Sequence, residues 1–395
     1  MIKYLFPRNW ISYDSNRIAQ PLIQAKAAVL SLTRIPYQRS WVDQLQVAQL
    51  KMEVAGTSRI EGADFTENEF DAAMRETPEQ LYTRSQKQVA AAKKAYGFIE
   101  KLPKDRPIDE GLIKRIHTLI IVGADDDHCP PGKLRGQDVN VHFGLPAHRG
   151  VEGGAECERA FTEFSRALQH EFRAHDPLVQ ALAMHYHFAA MHPFEDGNGR
   201  TARALESLML QRNGLSETLF IAMSNYYYDE KPNYLKTLTA VRAASHDLTE
   251  FIIFGLKGIE LQCTKLFDAI KKNVAKALYR NTMFDLFERL KSERKRVIAK
   301  RQVKLLKLLL EVDYYGLAEL ADKAHQSYAN LKNPTKALIR DLNYLISLGA
   351  ISWKEVEKKE YHLFVRLEWP TEITEKKFWK AIKEMPKAKT LRFPS

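Results

Sequence analysis

Apolar residues recur at three- and four-residue spacings along most of the chain, the period of helices that bury one face. Through roughly the first hundred residues the pattern predicts helices over "PLIQAKAAVL", "WVDQLQVAQLKMEVAG", "TENEFDAAM" and "SQKQVAAAKKAYGFIEKL", with no strand signal. "IDEGLIKRIHTLII" continues the series. The run "CPPGKLRGQDVNVHFGLPAHRGVEGG" then breaks it with Pro, Gly and a short alternation, which predicts a loop and a small hairpin. Helical spacing resumes in "AECERAFTEFSRALQHEF" and "PLVQALAMHYHFAAMHPF", and another helix is expected from about Arg200. From "YYYDEKPNYLKTLTAVRAAS" to "LTEFIIFGLKGIELQCTKLFDAIKKNVAKAL" it persists, so the junction that follows is expected to be a long helix. Beyond it "VKLLKLLLE", "GLAELADKA" and "NPTKALIRDLNYLISLG" predict three short helices, with "AISWKEV" and "YHLFVRLEW" as a closing hairpin. Asn333, Pro334 and Gly349 supply the start and stop of the third.

These elements divide the 395 residues into a helical region at 1–105, a second helical region with the hairpin at 106–265, a basic helical linker at 266–300, a helical and hairpin module at 301–369, and a basic tail at 370–395. The formal charge of +11 gathers between Lys271 and Lys307 and admits nucleic acid, an acidic partner or a phosphate-rich ligand without choosing among them. Cys129, Cys157 and Cys263 form no CxxC pair, which excludes a thiolate zinc pattern and a disulfide framework. With no long apolar run and no signal-peptide pattern, the expectation is a soluble, cytoplasmic protein without membrane contact.

The densest chemistry lies in "HPFEDGNGRTAR", residues 192–203. Gly197 and Gly199 around Asn198 suit a tight turn that opens a helix, whose first N–H groups attract anions. Arg200 and Arg203 fall in the first turn, where the helix dipole favours acids, so they require a compensating anion such as a polyphosphate. Asp196 before the turn suits a Mg²⁺ or Mn²⁺ ion shared with phosphate oxygens. His192 is suited to take a proton from an attacking hydroxyl, and Phe194 reads as an apolar anchor. Base, metal ligand, anion cradle and charge clamp make a phosphoryl- or nucleotidyl-transfer site. A zinc site from His185, His187, His192 and Asp196 is disfavoured, because helix positions two apart face different ways.

The same residues match every specified position of the Fic signature, HxFx(D/E)GNGRxxR, and "LIKRIHTLII", "PGKLRGQDVNV" and "YYYDEKPNYLKTL" also resemble segments of the Fic core. The resemblance runs from about residue 10 to about residue 260. It implies a mostly helical fold and transfer of AMP from ATP to a Ser, Thr or Tyr hydroxyl of a target protein, self-modification included. His192 would be the base and Asp196 the metal ligand. Gly197, Asn198, Gly199 and Arg200 would line the seat of the α- and β-phosphates, and Arg203 would fix the γ-phosphate. Tyr234 is a candidate wall of the adenine pocket. The hairpin between Val141 and Val151, with Val141, Phe143 and Gly144, would be the flap that pairs with an extended target. Relatives that move UMP or phosphocholine, or act as kinases, leave the transferred group open.

A second stretch, "TSRIEG" from Thr57 to Gly62, ends the helix that begins near Trp41. Glu61 puts negative charge at a helix C-terminus, where it is either solvated or held by a partner. The stretch resembles the family's inhibitory motif, (S/T)xxxE(G/N), placed before the core. That resemblance implies a Glu61–Arg203 salt bridge occupying the γ-phosphate position, with Thr57 in the motif. In some relatives the same glutamate supports removal of AMP. Residues 301–369 read as a winged helix, with Lys332, Lys336 and Arg340 as candidate DNA contacts and Lys358 and Lys359 on the wing. A homodimerisation or target-docking role for this module stays open beside DNA. The expected fold class is mainly α: a Fic-type helical core with a small β-hairpin flap, followed by a C-terminal winged helix-turn-helix domain. Two functions compete, an autoinhibited protein adenylyltransferase and a DNA-binding regulator whose Fic domain senses nucleotide or uses another donor.

Overall fold

The computed structural model describes residues 2–5, 7–35, 39–76, 80–144, 147–212, 221–290, 293–357 and 360–383. Two compact units divide it, Met1–Asp268 and Ala269–Ser395. As the helical spacing predicts, both are mainly α.

The first unit runs β1 (Ile2–Lys3), α1 (Ser15–Arg34), α2 (Arg39–Ile60), α3 (Glu67–Ala73), α4 (Arg84–Glu100), α5 (Glu110–Ile121), β2 (His142–Phe143), β3 (His148–Arg149), α6 (Ala155–Gln169), α7 (Pro177–Met191), α8 (Asn198–Leu210), α9 (Met223–Asp229), α10 (Lys231–Ala243) and the start of α11 (Thr249–Glu288). Side-chain oxygens of Asp14, Thr66, Thr83, Asp109 and Asp176 accept first-turn N–H groups, which fixes where five of these helices begin. Helix α7 is the hub. From Leu178 to Met191 every residue but Gln180 is buried, so its apolar surface is covered all round. Helix α8 packs along it, with α4 and α5 on α8 in turn. In α8 all positions but Gly199 are buried, Arg200, Arg203 and Glu206 included, so three charges inside the unit need partners.

The hairpin expected between Val141 and Val151 is present, with strands of only two residues. Val141 lies just outside the strand and accepts from the Gly150 N–H at 3.4 Å. A strand that the spacing did not signal, β1, pairs in parallel with β3, giving the order β1-β3-β2 and leaving β2 at the edge.

The second unit contains the end of α11, then α12 (Glu293–Glu311), β4 (Tyr315–Gly316), α13 (Leu317–Ala324), α14 (Pro334–Ser347), β5 (Ile351–Glu357), β6 (Glu360–Val365), α15 (Trp369–Glu372) and α16 (Glu375–Lys383). Its antiparallel sheet has the order β4-β6-β5. Asn333 sits at the start of α14 as expected, yet its side chain makes no capping bond. Two stretches read as peripheral belong to the core. Tyr279, Met283 and Phe287, in the stretch taken as a linker, are buried there, and the Tyr279 hydroxyl donates to the Ala350 carbonyl at 2.7 Å. Phe378, in the stretch taken as a basic tail, is fully buried on α16 and packs edge-on against Phe287 at 5.2 Å. The lysines around Phe378 and Trp379 hide an amphipathic turn whose apolar residues have a place to go. Lys336 and Arg340 lie exposed on one face of α14, with Lys332 exposed just before it; Lys358 and Lys359 lie outside the described residues. Among the described residues no helix is long and apolar enough to cross a membrane.

Phe378→Ala should therefore destabilise the second unit by roughly 3–5 kcal/mol, the usual cost of emptying a buried phenylalanine site. Chemical denaturation checks this, and an unchanged midpoint would return residues 375–383 to the status of a tail.

Candidate active site

His192 follows the last residue of α7 and takes a left-handed conformation, φ 54°, which turns the chain out of the helix. Its Nδ1–H donates to the Ala189 carbonyl at 3.1 Å, so the lone pair is left on Nε2. Burial pushes its pKa down to about 4, which keeps the ring neutral. Arg135, itself buried, holds the turn. Its Nε donates to the His192 carbonyl at 2.8 Å and its two terminal nitrogens to the carbonyls of Val139 and Val151.

The next turn is braced from inside. The Asn198 side chain accepts from the Phe194 N–H and donates to the Phe194 carbonyl, both at 2.9 Å, and Phe194 stacks on His117 at 3.6 Å. His117 accepts the Gly132 N–H at Nδ1 and donates from Nε2 to the Asp196 carbonyl at 3.0 Å. Expected to line an anion seat, Asn198 thus offers only its backbone there, while its side chain shapes the loop. Gly197 caps α8 at φ 73°, and a Cβ on it would stand 2.7 Å from Ile121.

The two arginines of the motif part company. Arg200 pairs with Asp125 at 2.5 Å and with Asp196 at 3.4 Å. Arg203 donates from Nε to Thr57 Oγ1 at 2.8 Å, and from Nη2 to the Thr57 carbonyl at 3.2 Å and to Glu61 Oε1 at 2.5 Å. The compensating anions are thus carboxylates of the protein itself. Burial pulls the Arg203 pKa down, and the Glu61 charge outweighs it, so the net direction is up. Glu61 is the mirror case: burial raises it, and Arg203 and Arg200 together bring it below the ordinary value. A Cβ on Gly199 would collide with Glu61 Oε1, so the carboxylate lies directly against the N-terminus of α8.

Asp196 fits a hard cation. Its carboxylate is 36% exposed and acid-shifted: burial raises its pKa, while Arg200 and the Gly197 N–H lower it further. Oxygens of Asp125 and Asp196 and a nitrogen of His128 also lie within 4.8 Å of one another. Arg84 and Arg200 both pair with Asp125, so the cluster already carries cationic partners. That donor set suits a metal that arrives with phosphate oxygens better than one caged by protein alone.

A cavity of about 420 Å³ opens beside these groups, lined by Glu61, Phe143, His192, Gly199, Arg203 and Tyr234 among others. Phe143 of β2 stacks on the His192 ring at 4.1 Å. Tyr234 forms part of the wall, its hydroxyl 2.9 Å from His185 Nε2, and His185 Nδ1 meets the Glu206 carboxylate, which also accepts from Tyr227 at 2.7 Å. His187 bonds to the Trp10 carbonyl instead, so the histidines disfavoured as a zinc set do face different ways.

Residues 107–210, which hold this whole turn, match the Fic/DOC family. The chain carries a Fic/DOC-family domain. Curated relatives include protein adenylyltransferase fic-1 of Caenorhabditis briggsae, 31% identical over 98 residues, 25% of this chain and 18% of that protein. Protein adenylyltransferase Fic of Culex quinquefasciatus is 31% identical over 31% of this chain and 20% of its own length. A uridine 5'-monophosphate transferase of Xanthomonas campestris is 32% identical over 28% and 22%. The chain thus spans about a fifth of the length of the curated relatives it matches. Among solved structures, Fic-1 of Caenorhabditis elegans superposes with a TM-score of 0.54 at 18% identity, covering 65% of this chain and 74% of that one. A Fic family protein from Desulfovibrio desulfuricans gives 0.54 at 17%, covering 92% and 98%. At these identities the structures speak for the fold.

Several residues that hold this geometry stand outside the motif. Asp125 sits in the acid run "GADDDH" after α5, and Arg135 in "KLRG" before the hairpin; both look like surface polar stretches until their partners are known. Glu53, two turns before Glu61 on α2, is buried and accepts from Tyr96 of α4 at 2.7 Å and from the Ser224 N–H and hydroxyl at the start of α9. Lys231 donates to the Ile60 carbonyl at 2.8 Å, capping the end of α2. The end of α2 that carries Thr57 and leads into Glu61 is therefore tied on both sides of Thr57, at Glu53 and at Ile60.

Burial, opposed by its hydrogen bonds, raises the Glu53 pKa from the ordinary 4.5 to about 7. The folded protein then holds a proton that the unfolded chain has lost between those values, so this group's contribution to stability falls as pH rises from 4.5 to about 7. Denaturation midpoints at pH 5 and pH 8 should show the advantage of wild type over Glu53→Gln shrinking at the higher pH. A difference constant with pH would remove the raised carboxyl from the picture.

Proposed function

We propose that the chain is a protein adenylyltransferase held off by its own helix α2. One observation carries the reading: the carboxylate of Glu61 lies on the N-terminus of α8 and against Arg203, in a cavity shared with a histidine whose Nε2 is free to accept a proton. A seat for a phosphate, a charge to clamp it and a base beside it are the requirements of nucleotidyl transfer. An ATP γ-phosphate would take the place of Glu61, with the α- and β-phosphates over the N–H groups of Asn198, Gly199 and Arg200. His192 Nε2 takes the proton of a Ser, Thr or Tyr hydroxyl as its oxygen bonds to the α-phosphorus and pyrophosphate leaves. Asp196 would hold a Mg²⁺ or Mn²⁺ ion, whose chemistry there would be to neutralise charge on the phosphates. The edge strand β2 offers unpaired backbone to an extended target, which fixes register and tolerates many sequences. The curated adenylyltransferases support AMP as the group moved, and the uridine relative makes UTP the control donor.

Purified full-length protein incubated with Mg²⁺ and α-labelled ATP or UTP tests this. Glu61→Gly should label itself or a supplied target at least tenfold more than wild type, the scale of losing a buried charge-assisted contact. His192→Ala in the same background should label nothing. Equal labelling by wild type and Glu61→Gly would end the inhibitory role, and silence in all of them would end the transferase reading.

A second reading rests on the second unit, whose helix, strand, two helices and hairpin we read as a winged helix. Exposed Lys336 and Arg340 share one face of α14, with Lys332 at its start, the placement that phosphate contacts require. If this face binds DNA, affinity should fall steeply between two salt concentrations, and Lys336→Ala should lessen the log–log slope by about one. No binding at low salt would leave a protein-facing role for the unit, homodimerisation included.

A further inference from the structure

The second unit has a groove of its own. Phe284 and Phe287, at the end of α11, line a cavity of about 740 Å³ together with Ala299 and Val303 of α12. Phe287 and Ala299 belong to the buried core, and Phe284 and Val303 pack on it half-buried, so the floor is apolar and backed by packed side chains. The wall is cationic. Lys300, Lys304 and Lys307 follow one another on α12 at four- and three-residue spacing, all exposed and all lining the groove, with Arg296 one turn before them. Glu288 is the one carboxylate among the lining residues. Lys272, Arg289 and Arg301 of the same unit are paired, with Asp313, Glu375 and Asp341; among the described residues no carboxylate pairs with Lys300, Lys304 or Lys307. Lys307 has only an aromatic partner, its Nζ 4.9 Å from the centre of the Phe284 ring. Like charges three and four apart on one helix face repel, and an anion laid along them relieves that cost.

Shape and charge together select the occupant. A track for nucleic-acid phosphates needs cations alone, whereas this one has an apolar floor with two phenylalanines. A lipid-like anion has one head group. From Arg296 to Lys307 the cationic wall runs about 16 Å at 1.5 Å per residue, three helical turns, which a row of carboxylates matches and a single head group does not. Residues 385–395 of the chain do not match either, since Lys387, Lys389 and Arg392 make them basic. We propose that the groove between α11 and α12 is a docking site for an acidic amphipathic helix of a partner protein. Its apolar stripe lies on Phe284, Phe287, Ala299 and Val303, and its flanking Asp or Glu side chains meet Lys300, Lys304 and Lys307. Exposed pairs at such a rim contribute little each, so the stripe supplies the affinity and the lysines choose the partner. Neither nucleotide transfer nor the α14 face enters into this site.

Full-length protein is titrated at low salt with a fluorescein-labelled helical peptide of about fifteen residues, Leu along one face and Glu on its flanks, and Kd is read by anisotropy. The controls are the same peptide with Lys in place of Glu and a scramble of the same composition without an apolar face. The acidic amphipathic peptide should bind at least about tenfold tighter than either, the scale of several rim pairs acting together. Lys300→Glu combined with Lys304→Glu changes only exposed side chains; it should reverse the preference between the Glu and Lys peptides at an unchanged melting temperature. Lys336→Ala, on α14, should leave the preference as it is. Equal affinity for the scramble reduces the lysines to a counter-ion surface and overturns the proposal, as does a lack of binding by every peptide or a preference that survives in the double variant. Binding of duplex DNA, of phosphatidylglycerol vesicles or of a second copy of the chain that the double variant loses and the acidic peptide does not displace would also overturn it, by giving the lysines to that occupant.

Discussion

The arrangement of the first unit depends on one buried charge. Arg203 sits in the second turn of α8 with 2% of its side chain exposed, where water does not stabilise a cation. Desolvating such a group costs several kcal/mol unless it is paired and its hydrogen bonds are filled. Thr57 and Glu61 fill them, and both come from the last turn of α2. The docking of that helix is therefore an electrostatic requirement of α8 as well as an apolar contact, and the Glu53 and Lys231 contacts hold its C-terminal end in register on either side of Thr57. The same requirement makes the contact exchangeable. Removing Glu61 alone leaves an uncompensated cation, whereas replacing it with a phosphate keeps the charge paired. Because the Glu61 side chain is 32% exposed at the cavity wall, the exchange can start from solvent without opening the core.

Behind this contact lies a polar frame in which each member limits the freedom of the next. Arg84 and Gln88 of α4 bind Asp125, Asp125 binds Arg200, and Arg200 reaches Asp196. His117 holds the Asp196 carbonyl, and Asn198 closes the loop onto Phe194. On the other side Tyr227, Glu206, His185 and Tyr234 form a buried chain that ends in the cavity wall. Buried polar groups joined in this way fix one geometry, because any rearrangement leaves a donor or acceptor unpaired in a low-dielectric interior. For a reaction that depends on placing phosphates and a base to within fractions of an ångström, such a frame supplies the preorganisation.

The helices around the site were legible because amphipathic spacing and caps are local signals. Thr66, Thr83, Asp109 and Asp176 announce helix starts, and the Gly-Asn-Gly turn announces itself. The contents of the motif were legible as a set, since a base, an acid and two arginines in twelve positions have few joint uses. Their partners were not. Asp125 and Glu53 look like any surface acid in the sequence, and only the tertiary contact turns the first into the counter-ion of Arg200 and the second into a buried carboxyl. The resemblance places Asn198 in the seat of the phosphates and says nothing of its side chain, which satisfies the backbone of the turn at Phe194. The strand β1 carries two residues and no alternation to detect, and Phe378 was hidden among lysines whose stems cover apolar surface.

The cations around the cavity are held in two different ways. On the α8 side the seat for an anion is filled by Glu61, so a triphosphate must displace a carboxylate already in place, and its net affinity is the difference between two pairings of Arg203. On the flap side Arg242 lies over the Phe143 ring, with Tyr186 and Tyr234 near enough to act on its charge. Phe143 lies over the base and under the Arg242 guanidinium, and because it stacks on the face of the His192 ring, the in-plane lone pair of Nε2 stays available.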